Sequence, residues 1–585
     1  MKPSTRPMER MPTPQRPSWR PTLIGKRHAV ACGHYLAAAA AARILDRGGN
    51  AIDAGVTAAM ALAVLQPDIV SFSGVAPTLV YRRKEHKVHS IAGLGYWPAS
   101  TDAARLSAEG AGAIPDGILR TVLPAAPSTH VVALSRFGTI SFEEAATPAY
   151  ELARDGFAAY PVFVQYLEEH QEEYRRWPSS AALFLPGGEP PRVGDIFRQE
   201  ELAQSIAGMM EAERKSPGDR LAKLRAVHDY YYKGPIADAI AGFHRENGGF
   251  VTKEDLAGFE TPVEPPIHCQ YKEYEVHSCD VWCQGISLLE SLKTLEGVDL
   301  KTLGHNSPAY VHHVAEALNL AFGDREAYVG DPRFIEVPVA GLLADDYAAS
   351  QRARIQRGKA FGQMPAPGNP AAATRDPFIP DLKRFSRAAQ GAAPDTIYCC
   401  VVDGEGNCYS ATLSDTSSDT VVIPGLGGTV SSRGSQSRLE PCHPAEVKPG
   451  KRPRLTPSPS LALRDGALYM GFGTPGGDVQ MQAMLQVFLN VTEFGMTVQQ
   501  AIEEPRFGTF TFPNSFSPFA IGNFNLESRF PRATMDALHA LGHPVDPWPE
   551  LAPAAGAICA VMRDPATGWL HAGADPRREA YAIAW

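Results

Sequence analysis

The feature that most constrains this chain is a change of character at residue 394. Residues 357–395 carry Pro365, Pro367, Pro370, Pro377 and Pro380 among many Ala and Gly, a composition that sustains neither helix nor strand. A loop this long inside a compact protein is usually functional or disordered. Beyond Pro394 the sequence runs Asp395-Thr396-Ile397-Tyr398-Cys399-Cys400-Val401-Val402-Asp403, β-branched and aromatic in the manner of a buried strand. Gly404-Glu405-Gly406-Asn407 supplies a turn, and Cys408 to Ser414 the returning strand. A hydroxyl residue, Thr396, therefore opens a core strand directly behind a segment that cleavage can release. One reading is plain: Thr is an ordinary strand residue. The other is an N-terminal nucleophile. A Thr hydroxyl needs a neighbouring base, and an α-amine, with pKa about 7.7–8.0 against about 10.4 for Lys, is largely free base near neutral pH. Cleavage before Thr396 creates that base on the nucleophile's own residue.

The totals set bounds. With 585 residues, 44% hydrophobic and 20% charged, the chain suffices for two or more ordinary domains or one large one. A net charge of −9 gives no support for a nucleic-acid partner. Nine scattered Cys do not form a secreted disulfide framework. His277, Cys279 and Cys283 stand close together, but no second pair at zinc spacing accompanies them, so neither metal nor cofactor is expected. Residues 1–27 are basic and Pro-rich, with Arg6, Arg10, Arg16, Arg20, Lys26 and Arg27. They are expected to be a disordered tail. No apolar run follows those charges and none elsewhere is long enough to span a bilayer. The expectation is a cytoplasmic protein without a membrane partner.

Along the chain, Tyr35 to Arg47 predicts an Ala-rich helix stopped by Gly48-Gly49-Asn50. Ala51 to Leu65 predicts a second helix, apolar nearly all round and so buried. Thr78–Tyr81 and Val88–Ile91 predict paired strands around Arg82-Arg83-Lys84-Glu85. Helices are expected at 129–137, 141–153, 200–213 and 236–246, a strand at 271–277, and a helix at 308–322 carrying His312 and His313 without a metalloprotease pattern. Strands and helices mix without steady βαβ alternation, which favours packed mixed layers over a doubly wound sheet.

Gly471-Phe472-Gly473-Thr474-Pro475-Gly476 satisfies GxGxxG between a strand and a helix. Pro475 removes a backbone donor, and Asp478 puts negative charge at the helix start where it would repel phosphate. The same geometry suits a tight turn, and the amides of Gly476 and Gly477 can also stabilise an oxyanion.

Taken in order, Arg47-Gly48-Gly49-Asn50-Ala51-Ile52-Asp53-Ala54, Ala153-Arg154-Asp155-Gly156-Phe157, the run Asn247 to Leu256, Gly330-Asp331-Pro332, Lys451-Arg452-Pro453, Pro475-Gly476-Gly477 and Glu504-Pro505-Arg506-Phe507 resemble the γ-glutamyltransferase family of N-terminal nucleophile hydrolases. The resemblance covers nearly the whole chain after residue 27. It implies an α+β fold built as a four-layer αββα sandwich. It also implies self-cleavage of a precursor at Asp395–Thr396 into a large chain, 28–395, ending in a mobile linker at 357–395, and a small chain, 396–585. These chains would stay together, with a dimer of such heterodimers as a further assembly. Thr396 matches the family's nucleophile, Gly476 and Gly477 its oxyanion hole, and Ser414 the second hydroxyl that polarises the nucleophile, with Thr412 the nearby substitute.

The departures concern the substrate's head group. Leu94 stands where the family grips the glutamyl carboxylate with Arg, and Thr416 where it has Asn. Leu455 and Thr456 replace its paired hydroxyls, and Ser437, beside Gln436, its Asp for the α-amine. Arg-carboxylate pairing is bidentate and charge-assisted, so Leu is no substitute. Arg433, Arg438 and Arg454 are either surface charge or an anion contact from another direction. The implied function is hydrolysis of a small-molecule amide through an acyl-enzyme on Thr396. The rivals are a true γ-glutamyltransferase or glutathione hydrolase with a rearranged clamp, and an unprocessed binding protein on the same fold.

Overall fold

The computed structural model describes residues 18–387, 396–517 and 519–585. Asp395 and the rest of 388–395 lie outside these, as does the start of the basic segment. Fourteen strands form two seven-stranded sheets. In chain order they are β1 (Leu23–Gly25), β2 (Ala29–Cys32), β3 (Thr78–Arg82), β4 (Lys87–Ile91), β5 (Val263–Glu264), β6 (Ile267–Tyr271) and β7 (Tyr274–Ser278). Then come β8 (Thr396–Val402), β9 (Cys408–Ser414), β10 (Ser460–Arg464), β11 (Ala467–Gly473), β12 (Cys559–Arg563), β13 (Leu570–Ala574) and β14 (Tyr581–Ala584). One sheet runs β14-β2-β8-β9-β3-β4-β5 and the other β1-β13-β12-β11-β10-β7-β6. Neighbours within each are antiparallel.

The expected hairpin forms at the centre of the first sheet, and every residue of β8 and β9 is buried. Period-two alternation explains why both faces are apolar. Ile397, Cys399, Val401, Tyr409, Ala411 and Leu413 join a core with helices α1 (Tyr35–Asp46) and α2 (Ala51–Leu65). Tyr398, Cys400, Val402 and Cys408 face the second sheet's Leu461, Leu468 and Val561. The vicinal cysteines thus point to opposite faces, and all nine cysteines are free. The second sheet's other face packs on α3 (Ile286–Glu296), α4 (Pro308–Tyr328) and α5 (Gln480–Thr492).

Local chemistry sets the helix ends. α1 stops where Gly48 takes φ 94° and the Gly48 and Gly49 amides bond the Leu45 and Ile44 carbonyls. α2 starts on an Asn50–Asp53 capping box. Its buried Asp53 also accepts bonds from the Thr139 amide at 2.8 Å and hydroxyl at 2.6 Å. All 15 residues of α2 are buried, as its all-round apolarity requires.

Three expectations change. The strand expected at 271–277 is a hairpin: Lys272 at φ 52° reverses the chain between β6 and β7. The basic tail is tied down from Ser18. Ser18 Oγ and the Trp19 and Arg20 amides bond the Glu503 carboxylate, and β1 pairs with β13. Three donors of the tail converge there on one buried acid, an arrangement between segments distant in sequence that composition does not reveal. The proline-rich segment is held as far as Arg387. Ala360, Met364 and Gly368 donate backbone bonds to Leu541, Thr511 and Asp324, and Ser386–Arg387 pairs with Ala520–Ile521. Among the described residues no helix is long and apolar enough to cross a membrane.

The sheets approach closely where β11 crosses β8. A Cβ on Gly473 would lie 2.3 Å from the Tyr398 ring, and one on Gly471 2.6 Å from Cys400 Sγ. Gly473→Ala should therefore destabilise the protein by about 1–3 kcal/mol, read as a lower urea midpoint at unchanged slope. An unaltered midpoint would refute this contact.

Candidate active site

The register of β8 on β9 sets Thr396 directly opposite Ser414, and their Oγ atoms are 2.9 Å apart. Both residues are fully buried and share the face that meets the second sheet. Thr412 lies two residues back, opposite Tyr398, and its hydroxyl has no hydrogen-bond partner. Ser414, not Thr412, is thus the hydroxyl brought to Thr396. The loop before β3 fixes this end of β9. Val75 exchanges backbone bonds with Ser414 at 3.1 and 3.2 Å, and a Cβ on Gly74 would lie 2.4 Å from the Ser414 carbonyl.

Behind Ser414 stands a buried charge. Arg433 Nη2 donates to Ser414 Oγ at 2.5 Å, and its Nε lies 3.5 Å from Asp415 Oδ1. The guanidinium sits 5.3 Å from the Phe516 ring centre. Asp415 also accepts from the Ser432 amide at 2.8 Å and from the Ser431 and Ser432 hydroxyls. The chain turns sharply there, with Asp415 at φ 148°, a region that L-residues rarely adopt. Burial pushes the Asp415 carboxyl up to about 6, against the opposing pull of Arg433 and the Ser432 amide.

Arg433, Arg438 and Arg454 are all buried, so none is surface charge. Arg438 bonds the Asn514 and Ser515 carbonyls. Arg454 bonds Glu326 at 2.6 Å and the Arg325 carbonyl at 3.0 Å.

The glycine turn follows β11. The crossing just described, Gly471 on Cys400 and Gly473 on Tyr398, advances toward Thr396 and carries the 474–477 turn to that end of β8. Gly476 and Gly477 adopt φ 122° and 56°, conformations open to Gly. A short 3₁₀ turn, Gly477–Val479, leads into α5. Asp478 is bound by Arg325 at 2.6 Å and by the Ser515 amide and hydroxyl, so its charge is neutralised internally. Gln284 Nε2 bonds the Gly477 and Thr456 carbonyls at 3.0 and 3.1 Å, tying the turn to the 453–459 loop.

The expected head-group residues separate into two sets. Leu94 and Leu455 lie in the apolar layer between the sheets with Tyr398 and Trp282. Gln436 and Thr456 bond each other twice, side chain to hydroxyl at 2.7 Å and amide to side chain at 3.1 Å. Ser437 accepts from Trp97 Nε1 at 2.9 Å. Thr416 is buried just beyond Asp415. A small cleft lined by Ile114, Ser435, Ser437, Leu439 and Phe516 opens beside this group. Sequence reasoning missed Asp415, Trp97 and Gln284. Asp415, adjoining Ser414 in an all-hydroxyl neighbourhood, was the one with a local signal.

A buried hydroxyl pair at the head of a core strand, with a glycine turn following the strand that crosses it in the second sheet, is the arrangement of an N-terminal-nucleophile amidohydrolase or acyltransferase. The γ-glutamyltranspeptidase family model matches residues 37–585, and the chain belongs to that family. It is 28% identical to the glutathione hydrolase-like YwrD proenzyme of Bacillus subtilis, over 96% of this chain and 99% of that one. It is 30% identical to the acylase ACY 1 proenzyme of a Pseudomonas species, over 91% and 90%. The crystal structure of cephalosporin acylase from Bacillus halodurans superposes with a TM-score of 0.84 at 28% identity, covering 99% of both chains.

Asp415 yields a pH prediction. Its folded pKa of about 6 exceeds the ordinary value of about 3.9. Between those values the folded protein holds a proton that the unfolded chain releases. Its contribution is therefore full below pH 4 and lost as pH rises through 6, by on the order of 2 kcal/mol. Asp415→Asn should remove that slope from the pH dependence of the urea-unfolding free energy. Parallel curves for both proteins between pH 4 and 7 would contradict the assignment.

Proposed function

We propose that this protein cleaves its own precursor at Asp395–Thr396 and then hydrolyses a small amide through an acyl-enzyme on Thr396. The observation that carries the reading is the 2.9 Å contact between Thr396 Oγ1 and Ser414 Oγ at the first residue of an inter-sheet strand. In the first act the Thr396 hydroxyl attacks the Asp395 carbonyl carbon, the peptide C–N bond breaks, and water opens the resulting ester. In the second, the freed Thr396 amine accepts the hydroxyl proton as Oγ1 attacks the substrate carbonyl. Ser414, already accepting from Arg433, keeps its own proton to donate to Oγ1 as negative charge gathers there. The amides of Gly476 and Gly477 receive the oxyanion. The leaving amine departs with the proton, and water repeats the attack on the ester.

The layering supports the family's αββα sandwich: α1 and α2 cover one sheet, α3 to α5 the other, and the sheets meet through Tyr398 and Cys400.

For substrate, we read an acyl group without the glutamyl zwitterion. Leu94 and Leu455 offer no charge, Gln436 and Thr456 satisfy each other, and Ser437 is engaged by Trp97. The name of the Pseudomonas acylase supports a wider acyl range on this scaffold.

Fresh wild-type protein should run as two chains on a denaturing gel, the smaller beginning at Thr396, while Thr396→Ala stays full length and inactive. A charge-assisted hydrogen bond is worth about 1.5–3 kcal/mol. A γ-glutamyl anilide should therefore turn over about 10- to 100-fold less efficiently than an uncharged acyl anilide of similar size. A Thr396→Ala protein cut at the same bond would refute the mechanism. Preference for the glutamyl compound would refute the substrate reading alone and favour a glutathione hydrolase.

A further inference from the structure

We propose that His268, Glu275 and His277 form a binding site for a divalent transition metal of the zinc type at the open edge of the second sheet. The site is distinct from the Thr396 centre and follows from β-sheet geometry. Glu275 and His277 are two residues apart on β7, so they project from one face. His268 is the cross-strand partner of His277 and stands beside it on that face. The three side chains bring one donor atom each within 4.8 Å of one another. The two imidazoles have ring centres 5.2 Å apart at 36°.

His277 supplies the second, independent observation. Its side chain is only 5% exposed, yet Nδ1 has no hydrogen-bond partner and Nε2 has only the Glu275 carboxylate, 2.7 Å away. A buried imidazole with one polar atom unsatisfied is costly, and a cation seated between the His277 ring, the carboxylate and His268 draws all three donors to one centre. Two imidazoles and one carboxylate are a borderline donor set suited to zinc. Three protein donors leave a fourth position for water. His268 is exposed on β6, the outermost strand, which gives the ion an entry path.

The other buried group of this composition differs on this point. In His312, Glu316 and His543 the imidazoles already bond each other at 2.8 Å, and His312 Nε2 bonds the Gln356 carbonyl. That trio is satisfied internally. The companions that sequence proximity offered His277 are not its partners: Cys279 and Cys283 lie in the apolar layer between the sheets, and burial pushes the Cys279 thiol up.

The test uses tag-free, full-length protein stripped with a chelator and titrated calorimetrically with zinc chloride. One saturable equivalent is expected, at micromolar affinity or tighter, with a higher melting temperature when zinc is present. Cobalt(II) should give the visible bands of a tetrahedral site. His268→Ala and Glu275→Gln, both at accessible positions, should each weaken zinc binding at least about tenfold and abolish the cobalt bands, while turnover of the acyl anilide stays at the wild-type rate. Absence of saturable binding to the wild type would overturn the proposal, as would His268→Ala binding zinc as tightly as the wild type. Neither result bears on the Thr396 chemistry, which is read separately by chain processing and anilide turnover.

Discussion

The whole site depends on one register: Thr396 opposite Ser414 in the central hairpin of the first sheet. Side chains alternate along a strand, so a slip of one residue would turn Thr396 toward the helices and bring Ile397 to the gap between the sheets. The sequence guards against that slip on both faces. The helix side needs Ile397, Cys399 and Val401, and the inter-sheet side needs Tyr398 and Cys400 against Gly473 and Gly471. A strand buried on both sides normally carries weak register information, because either face is apolar. Here the two glycines of β11 supply it, since only one face of β8 can place a tyrosine ring where no Cβ stands.

The second constraint is the quantity of charge placed inside. Arg433 with Asp415, Arg325 with Asp478 and Glu326, and Arg506 and Arg577 with Asp575 and Glu527 are all buried. Such pairs rarely add net stability over an apolar replacement, because both ions lose their hydration. What they do here is geometric. Several join segments apart in sequence: Arg325 of α4 reaches the turn after β11, and Arg433 reaches back to the end of β9. Loops without a regular hydrogen-bond ladder are held by charge-assisted bonds instead; the glycine turn is such a loop, and the hydroxyl pair adjoins one at Asp415.

Legibility in the sequence followed the range of the interactions. The hairpin, α1, α2 and the β3–β4 pair were readable because their signals are local: apolar period, capping residues and turn glycines. The pairing of Thr396 with Ser414 follows from the hairpin once its turn is read, and the glycine turn lies between a strand and a helix as its sequence predicts. Asp415 was not readable, since its role comes from a backbone reversal and from Arg433, 18 positions later. The docking of Ser18 to Glu503 spans almost the entire chain, and basic composition gave the opposite expectation. Because Lys272 replaces the customary turn glycine, the strand read at 271–277 took in the turn of the 267–278 hairpin and missed its first strand. With it went the cross-strand neighbour of His277, so the wrong companions, Cys279 and Cys283, stood nearest in sequence.

The strands and the loops around them carry different packing demands. Thr396 and Ser414 are held by β8 and β9, and the glycine turn follows β11, strands whose side chains are committed to both cores. The loops around 94, 436 and 455 carry a looser demand, that something fill the space. Leu94 and Leu455 meet that demand by joining the apolar layer. Buried polar groups on such loops cannot remain unsatisfied. Gln436 and Thr456 resolve this by bonding each other, and Ser437 by accepting from Trp97. An arginine introduced at position 94 would therefore enter an apolar layer, and the polar groups of 436, 437 and 456 are already paired, so a carboxylate clamp there would require breaking those bonds as well as adding the charge.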